Sequence, residues 1–502
     1  MGVSFMSNPP APRGAIEQCR ALRKVLASAG FTPEGILDTI GVTDGVSIKE
    51  SDILLLMRRT RGRTPLETLI RLFLMETAVA VTDLQRASSP MGVEEWEEMG
   101  LVEVSGGKAV TKVRLSPWQD LVIACDSPGR LFSAAGEDYV MGIGGSSLTL
   151  ANLTVRRQSR RTLDLGSGCG FQAFMAARHS GDVVAVDRNP RARDFAVFNA
   201  RLNGLDNLLC LEGDLFAPVE GMTFDLIVSN PPFVISPDTR YIYRDSGMAG
   251  DEICRRIVRE APAFLNEGGF CQILCNWAEY DGQDWRERLR EWGAGSGCDM
   301  WVMRDQSRDT ASYAANWLRH TERLETENLP ERFDEWLAYY DRSGIQRIGG
   351  GVITLRRRGG GKNWFWADTA IETMRGPSGG QVVTGFEARD FLNGIGDDGE
   401  LLRTAPRLSS DVRLVKQLLP DEGEWAVEAC QIHLLRGFAH KGNIDPFMES
   451  FLIRCDGTRT LECLLEDLAL SLSVEPDGIR ETLCGIVRRM LERGVLLPPA
   501  GC

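Results

Sequence analysis

The feature that most constrains this chain is the stretch 162–233, which opens with TLDLGSGCGFQA and closes with FDLIVSNPPF. A short apolar run is followed by Gly166, Gly168 and Gly170, and then by the helical pattern FQAFMAARH. The spacing predicts a strand, a tight turn and a helix start. Glycines suit such a turn because a Cβ would block a ligand's approach to the backbone and because positive φ is easy only for Gly. The fold class is therefore α/β, with ligands bound beyond the carboxyl ends of its strands.

Two ligand classes use this turn, dinucleotides and S-adenosylmethionine. The dinucleotide fingerprint G-x-G-x-x-G would put its third glycine at Phe171, whereas the chain has G-x-G-x-G, the spacing that points to the methyl donor. Downstream residues agree. DVVAVD ends on Asp187, placed to accept both ribose hydroxyls, with Arg188 beside it; NLLCLEGDLF brings Asp214 and Leu215 to the adenine side. Asp164 ends the first strand, where the donor's methionine ammonium would lie. The expected donor set is Asp164, Gly166, Ser167, Gly168, Gly170, Asp187, Arg188, Asp214, Leu215 and Asn230.

The closing motif carries the chemistry. Two consecutive prolines in Asn230-Pro231-Pro232-Phe233 fix the backbone so that the Asn side chain and the first Pro carbonyl face one cavity. A planar nitrogen with two hydrogens donates to both acceptors, turns its lone pair to the methyl group and lies against Phe233. Asn230 and Pro231 are thus the expected catalytic residues, and Pro232 and Phe233 complete the substrate-binding set. No metal is expected, because Cys271 and Cys275 lack a matching pair.

At these residues the chain resembles the class I S-adenosylmethionine methyltransferases of the N-methylating branch. LDLGSGCG, SNPPFVISP and YRDSGMAGDEICRRIVREAPAFLNEGGF resemble most the release-factor glutamine N5-methyltransferase family. The resemblance implies a Rossmann-like seven-stranded domain, S-adenosyl-L-methionine as cofactor, and a protein glutamine amide held by Asn230 and Pro231. Phe233 stands where that family usually has Tyr, keeping the stacking face and losing the hydroxyl. The alternative is therefore methylation of an RNA or DNA exocyclic amine, guanine N2 or adenine N6. Against it, Val234 stands where the guanine N2 enzymes often have His. A binding module with an inactive methyltransferase fold is the third reading, opposed by the intact acids and NPPF.

At 502 residues the chain exceeds what a single core supports. Residues 1–13 are Pro-rich and polar, a disordered terminus and not a signal peptide. Residues 14–130 form a helical, winged-helix-like domain, in which TPLETLIRLFLMETAVAVTDLQRA reads as one long helix capped by Thr64 and a hairpin turns at Gly106-Gly107. Residues 131–358 form the methyltransferase domain, with residues 142–149 expected to fold over the donor and an aromatic-rich helical insertion at 307–342 to wall the acceptor groove. Residues 359–502 form an α+β, winged-helix-like domain.

Net charge is −13; residues 1–156 carry sixteen basic against eighteen acidic side chains and residues 361–502 fifteen against twenty-two. That balance favours a protein partner, a release-factor-like substrate, over nucleic acid, although Arg58, Arg59, Arg61 and Arg63 would suit RNA phosphates. Thirteen cysteines without paired spacing indicate a reducing cytoplasm, and the longest apolar stretch, interrupted by Arg71 and Glu76, is too short to span a bilayer.

Overall fold

The computed structural model describes residues 10–41, 53–131, 136–321, 328–360, 362–370, 376–436 and 440–499. Most of the expected terminus 1–13 lies outside the described residues. The chain divides into two compact units, Met1–Leu150 with Arg157–Ala367, and Ala151–Arg156 with Asp368–Cys502.

The first unit begins with helices α1 (Ile16–Ser28), α2 (Pro33–Ile40), α3 (Ile53–Arg59) and α4 (Pro65–Leu69). Thr64 caps α4, as the sequence predicts, and Glu67 completes a reciprocal capping box with it. The expected long helix does not continue from there. It turns into a π-helix over Ile70–Leu74 and stops at Glu76, whose φ of 53° no helix accommodates. The chain then enters strand β1 (Val79–Ala80), α5 (Val81–Ser88), α6 (Val93–Glu98), β2 (Val102–Ser105) and β3 (Lys108–Thr111), with sheet order β1-β3-β2. A β4 (Val113–Trp118) and β5 (Leu121–Asp126) hairpin, the short helix α7 (Pro128–Leu131) and α8 (Gly145–Leu153) lead to the main sheet.

That sheet is built from β6 (Ser159–Leu165), α9 (Phe171–Ala177), β7 (Ser180–Asp187), α10 (Pro190–Asn203), β8 (Leu208–Glu212), β9 (Phe224–Ser229), α11 (Glu252–Glu260), β10 (Leu265–Tyr280), α12 (Trp285–Gly293), β11 (Cys298–Asp309), α13 (Thr310–Thr321), α14 (Leu329–Arg342), β12 (Ile345–Arg357) and β13 (Phe365–Thr369). The order is β13-β11-β12-β10-β9-β6-β7-β8. Strands β6 to β10 pair in parallel, and β12 runs antiparallel to both β10 and β11. β13 adds an eighth strand to the seven expected.

The central strands read as continuous apolar runs because both faces are covered. Leu163, Leu165, Val184, Val186, Ile227, Ile273 and Trp277 belong to one buried core with residues of α11 and α12. The parallel arrangement sets the loops after β6, β7, β8 and β9 along one sheet edge. β11 runs parallel to β10, so the helical pair α13 and α14 grows from that same edge.

The second unit contains α15 (Gly379–Gly394), α16 (Asp398–Leu402), β14 (Arg407–Leu408), β15 (Val412–Asp421), β16 (Glu424–Leu434), β17 (Lys441–Asn443), α17 (Pro446–Arg454), α18 (Leu461–Leu472), α19 (Pro476–Glu492) and β18 (Leu496–Leu497). Its core packs Leu461, Leu464 and Leu465 against Leu483, Val487 and Leu491. The unit mixes helices and strands, as the α+β expectation for this region requires, and includes a long β15–β16 ribbon.

Candidate functional site

The loop between β6 and α9 is shaped by three left-handed glycines, with φ of 74° at Gly166, 54° at Gly168 and 91° at Gly170. A Cβ on Gly168 would meet nothing within 4 Å, and one on Gly166 would come 3.8 Å from the Pro231 Cα. These two glycines therefore keep the loop open on its ligand side. Gly170 does another job: it caps α9, and a Cβ there would strike the Phe174 ring at 2.4 Å.

Asp187 at the end of β7 braces the loop. One carboxylate oxygen accepts from the Gly168 amide at 2.8 Å and the other from the Asn189 amide at 2.9 Å. Burial pushes its carboxyl pKa up, while the Asn189 and Gly168 amides and the Arg188 charge pull it down. Each oxygen retains a lone pair for a ligand hydroxyl.

Ser229 ends β9 and donates to the Leu165 carbonyl at 2.7 Å, so the Asn230-Pro231-Pro232-Phe233 turn lies beside the glycine loop. The Asn230 amide nitrogen donates to Ser146 Oγ of α8 at 3.2 Å, which leaves its Oδ1 as acceptor. The Pro231 carbonyl accepts from the Phe233 amide at 2.7 Å and keeps one lone pair. Phe233 meets Trp317 of α13 edge to face, centroids 6.4 Å apart at 71°.

One cleft collects these groups. It is lined by Gly166, Ser167, Gly168, Asp187, Arg188, Asp214, Leu215, Asn230, Pro231, Pro232 and Phe233 among the residues the sequence singles out. Asp214 is exposed and pairs with Arg256 at 2.8 Å. Arg188 donates to the Ser246 carbonyl at 3.0 Å. Ser146 and Ser147 of α8 also line the cleft, and Gln172 holds the Ser147 carbonyl at 2.7 Å, consistent with the segment expected to fold over the donor.

Asp164 and Gly170 are not among the lining residues. Asp164 is buried behind the loop, where one oxygen accepts from the Ala173 amide at 2.9 Å and the other has no partner among the described residues. Its pKa is pushed up to about 7, mainly by burial, against the Ala173 hydrogen bond.

Sequence reasoning missed Tyr139, Tyr243, Arg244 and Ile253, which also line the cleft. Arg244 is fully buried, bonded to Asp245 at 2.7 Å and Asp238 at 2.9 Å, and it pins the segment after NPPF. The quoted YRDSG run contained that signal.

An open, mixed sheet with a parallel core, a G-x-G-x-G loop, a strand-end carboxylate and NPPF at the neighbouring strand end defines a class I methyltransferase fold. The open glycine loop and the spare lone pairs on Asp187 fit the nucleoside of S-adenosylmethionine.

Comparison with known proteins agrees. The methyltransferase small domain family matches residues 127–281, and the flanks match two domains of unknown function, DUF7059 at 28–113 and DUF7782 at 384–498. A release factor glutamine methyltransferase of Xylella fastidiosa is 35% identical over 130 residues, 24% of this chain and 47% of that relative. A Methanocaldococcus jannaschii protein, provisionally named a protein N5-glutamine methyltransferase, is 37% identical over 136 residues, 26% of this chain and 68% of that relative. A ribosomal RNA small subunit methyltransferase C of Alcanivorax borkumensis is 32% identical over 116 residues, 23% of this chain and 32% of that relative. The chain spans about half the length of the first of these. It belongs to the S-adenosylmethionine-dependent N-methyltransferases of the release factor glutamine methyltransferase family.

Among the described residues no cluster of His, Cys, Asp or Glu could hold a metal ion, and no helix is long and apolar enough to cross a membrane.

Proposed function

We propose that this chain methylates the side-chain amide nitrogen of a glutamine in a protein of the release factor type. The observation that carries the reading is that Asn230, Pro231 and Phe233 line the same cleft as the glycine loop.

In this reading Gly166, Ser167, Gly168 and Asp187 hold the nucleoside, with Arg188, Asp214 and Leu215 around it. Asp164 supports the ammonium end from behind the loop, and Gly170 shapes the turn. S-adenosylmethionine supplies a methyl group already activated on a sulfonium. The chain's own work is positioning. Asn230 Oδ1 and the Pro231 carbonyl accept the two amide hydrogens, fix the plane of the acceptor nitrogen and draw electron density onto it, and the nitrogen releases one of those protons once the methyl group has moved from sulfur to it; Pro232 stiffens the turn and Phe233 covers the flat face.

The flanking domains are read as winged-helix-like. Helices followed by the β1-β3-β2 sheet support this for residues 14–130, and the terminal helices α17 to α19 with β18 support it for residues 359–502. The acidic second unit fits a basic protein partner in the cytoplasm. RNA remains the second reading, favoured by Phe233 in place of Tyr and by the similarity to the ribosomal RNA enzyme.

The test uses methyl-labelled donor, purified protein and a cell extract lacking it, with separate protease and nuclease digestion. Label released by protease alone, and recovered as methylglutamine, is expected. Label released by nuclease alone overturns the protein acceptor and favours the RNA reading.

A further inference from the structure

The β11–β12 connection carries α13 and α14, and their aromatic side chains form a core of their own with the segment after NPPF. Tyr313, Leu318, Trp336 and Tyr340 pack with Val234 and Ile235. Polar contacts fix the register of that packing. The Tyr313 hydroxyl accepts from Asn276 Nδ2 at 2.6 Å and from the Ile235 amide at 3.2 Å, and the Tyr340 hydroxyl donates to the Ile235 carbonyl at 2.8 Å. Arg332 and the Trp336 indole both reach Asp238, at 2.7 Å and 3.2 Å.

Trp317 projects from this cluster into the cleft. Its ring lies 6.3 Å from the Tyr313 ring at 57°, so its orientation is held from behind. In front it meets Phe233 at 71°. This geometry decides what can lie on Phe233. A nucleobase sandwiched between two rings needs them parallel and about 7 Å apart, two contacts of roughly 3.5 Å each. Phe233 and Trp317 are 6.4 Å apart and nearly perpendicular, so that sandwich is closed. A slim amide stem needs one open ring face and an end wall, which this pair supplies.

We propose that Trp317 sets acceptor specificity, denying a nucleobase a sandwich on Phe233 and, as an end wall, guiding the aliphatic stem of a glutamine between Phe233 and the Asn230–Pro231 pair. The inference rests on the glutamine reading. It identifies the inserted helical pair as the element that selects the acceptor, and Trp317 as the residue through which it does so.

The experiment compares wild type, Trp317→Ala and Trp317→Phe as full chains, with a purified release factor and a mixed-sequence single-stranded RNA as acceptors. Trp317→Ala is expected to raise KM for the release factor by about tenfold or more, as removal of a buried aromatic anchor does. Its donor affinity by calorimetry should be unchanged, Trp317→Phe should restore most of the loss, and label should enter RNA only in Trp317→Ala. An unchanged KM in Trp317→Ala, or RNA labelling by wild type equal to that by the variant, overturns the assignment. A wild type that methylates no protein glutamine overturns the underlying reading instead, and that failure is visible before any variant is made.

Discussion

Replacing Asp187 with Asn should separate donor binding from folding. The carboxylate accepts from Gly168 at 2.8 Å and from Asn189 at 2.9 Å, so an Asn side chain must turn its NH2 towards one of two backbone donors. One charge-assisted bond to a backbone amide is lost, and so is one to a ribose hydroxyl in the proposed complex, each worth about 1.5–3 kcal/mol. Donor affinity should therefore fall roughly 10- to 150-fold. The ligand-free fold responds differently. Burial pushes the Asp187 pKa up, so the native state already bears a desolvation cost that a neutral amide removes. That relief offsets much of the lost bond, and the melting temperature without donor should move by only about 2 °C. Calorimetric titration with donor and a thermal melt without it test both halves. Donor affinity within about threefold of wild type would refute the role given to Asp187.

Asn230→Ala should lower turnover by about 100-fold or more while leaving donor affinity nearly unchanged, since in the proposed mechanism Asn230 acts on the acceptor; single-turnover rates beside calorimetry check this. Gly170→Ala should cost on the order of 3 kcal/mol in urea unfolding, because φ is 91° and the new Cβ would meet Phe174 at 2.4 Å. Asp164, with its pKa pushed up to about 7 chiefly by burial, predicts a pH dependence. A cationic ammonium favours the ionised carboxyl, so donor affinity should rise between about pH 6 and pH 8 and the slope should vanish in Asp164→Asn; a flat wild-type profile contradicts this. Because the folded pKa lies above the unfolded one, the same group should make the ligand-free fold less stable as pH rises from about 4 to about 7.

The parts legible in the sequence are those where chemistry leaves few alternatives. Positive φ at Gly166, Gly168 and Gly170 and paired prolines at 231 and 232 allow few other backbones, and strands covered on both faces write themselves as apolar runs. The helix expected across residues 64–87 failed because nothing local announces the break at Glu76; the pairing of Val79 with Ala109 makes it. The β15–β16 ribbon hid because its distal half is exposed on both faces, so no period-two pattern marks it. Trp317 could be placed in an aromatic insertion, but its contact with Phe233 bridges elements far apart in the chain. Asp164 ended its strand as expected, yet the turn that follows covers it.

Because β12 returns antiparallel, the chain leaves β11 and re-enters β12 at the edge that carries the site. Any segment inserted in that hairpin emerges over the acceptor without crossing the sheet or displacing a parallel connection. Lengthening such a loop is entropically mild, about 0.6 kcal/mol for each doubling. The hairpin is thus an exchangeable cassette. In the proposed reading the loops after β6, β7 and β8 hold the donor, while α13 and α14 are the part through which the acceptor would be changed. A chimaera carrying another hairpin in place of α13 and α14 must also replace their contacts with Ile235 and Asp238, and is then expected to keep its grip on the donor while its choice of acceptor changes.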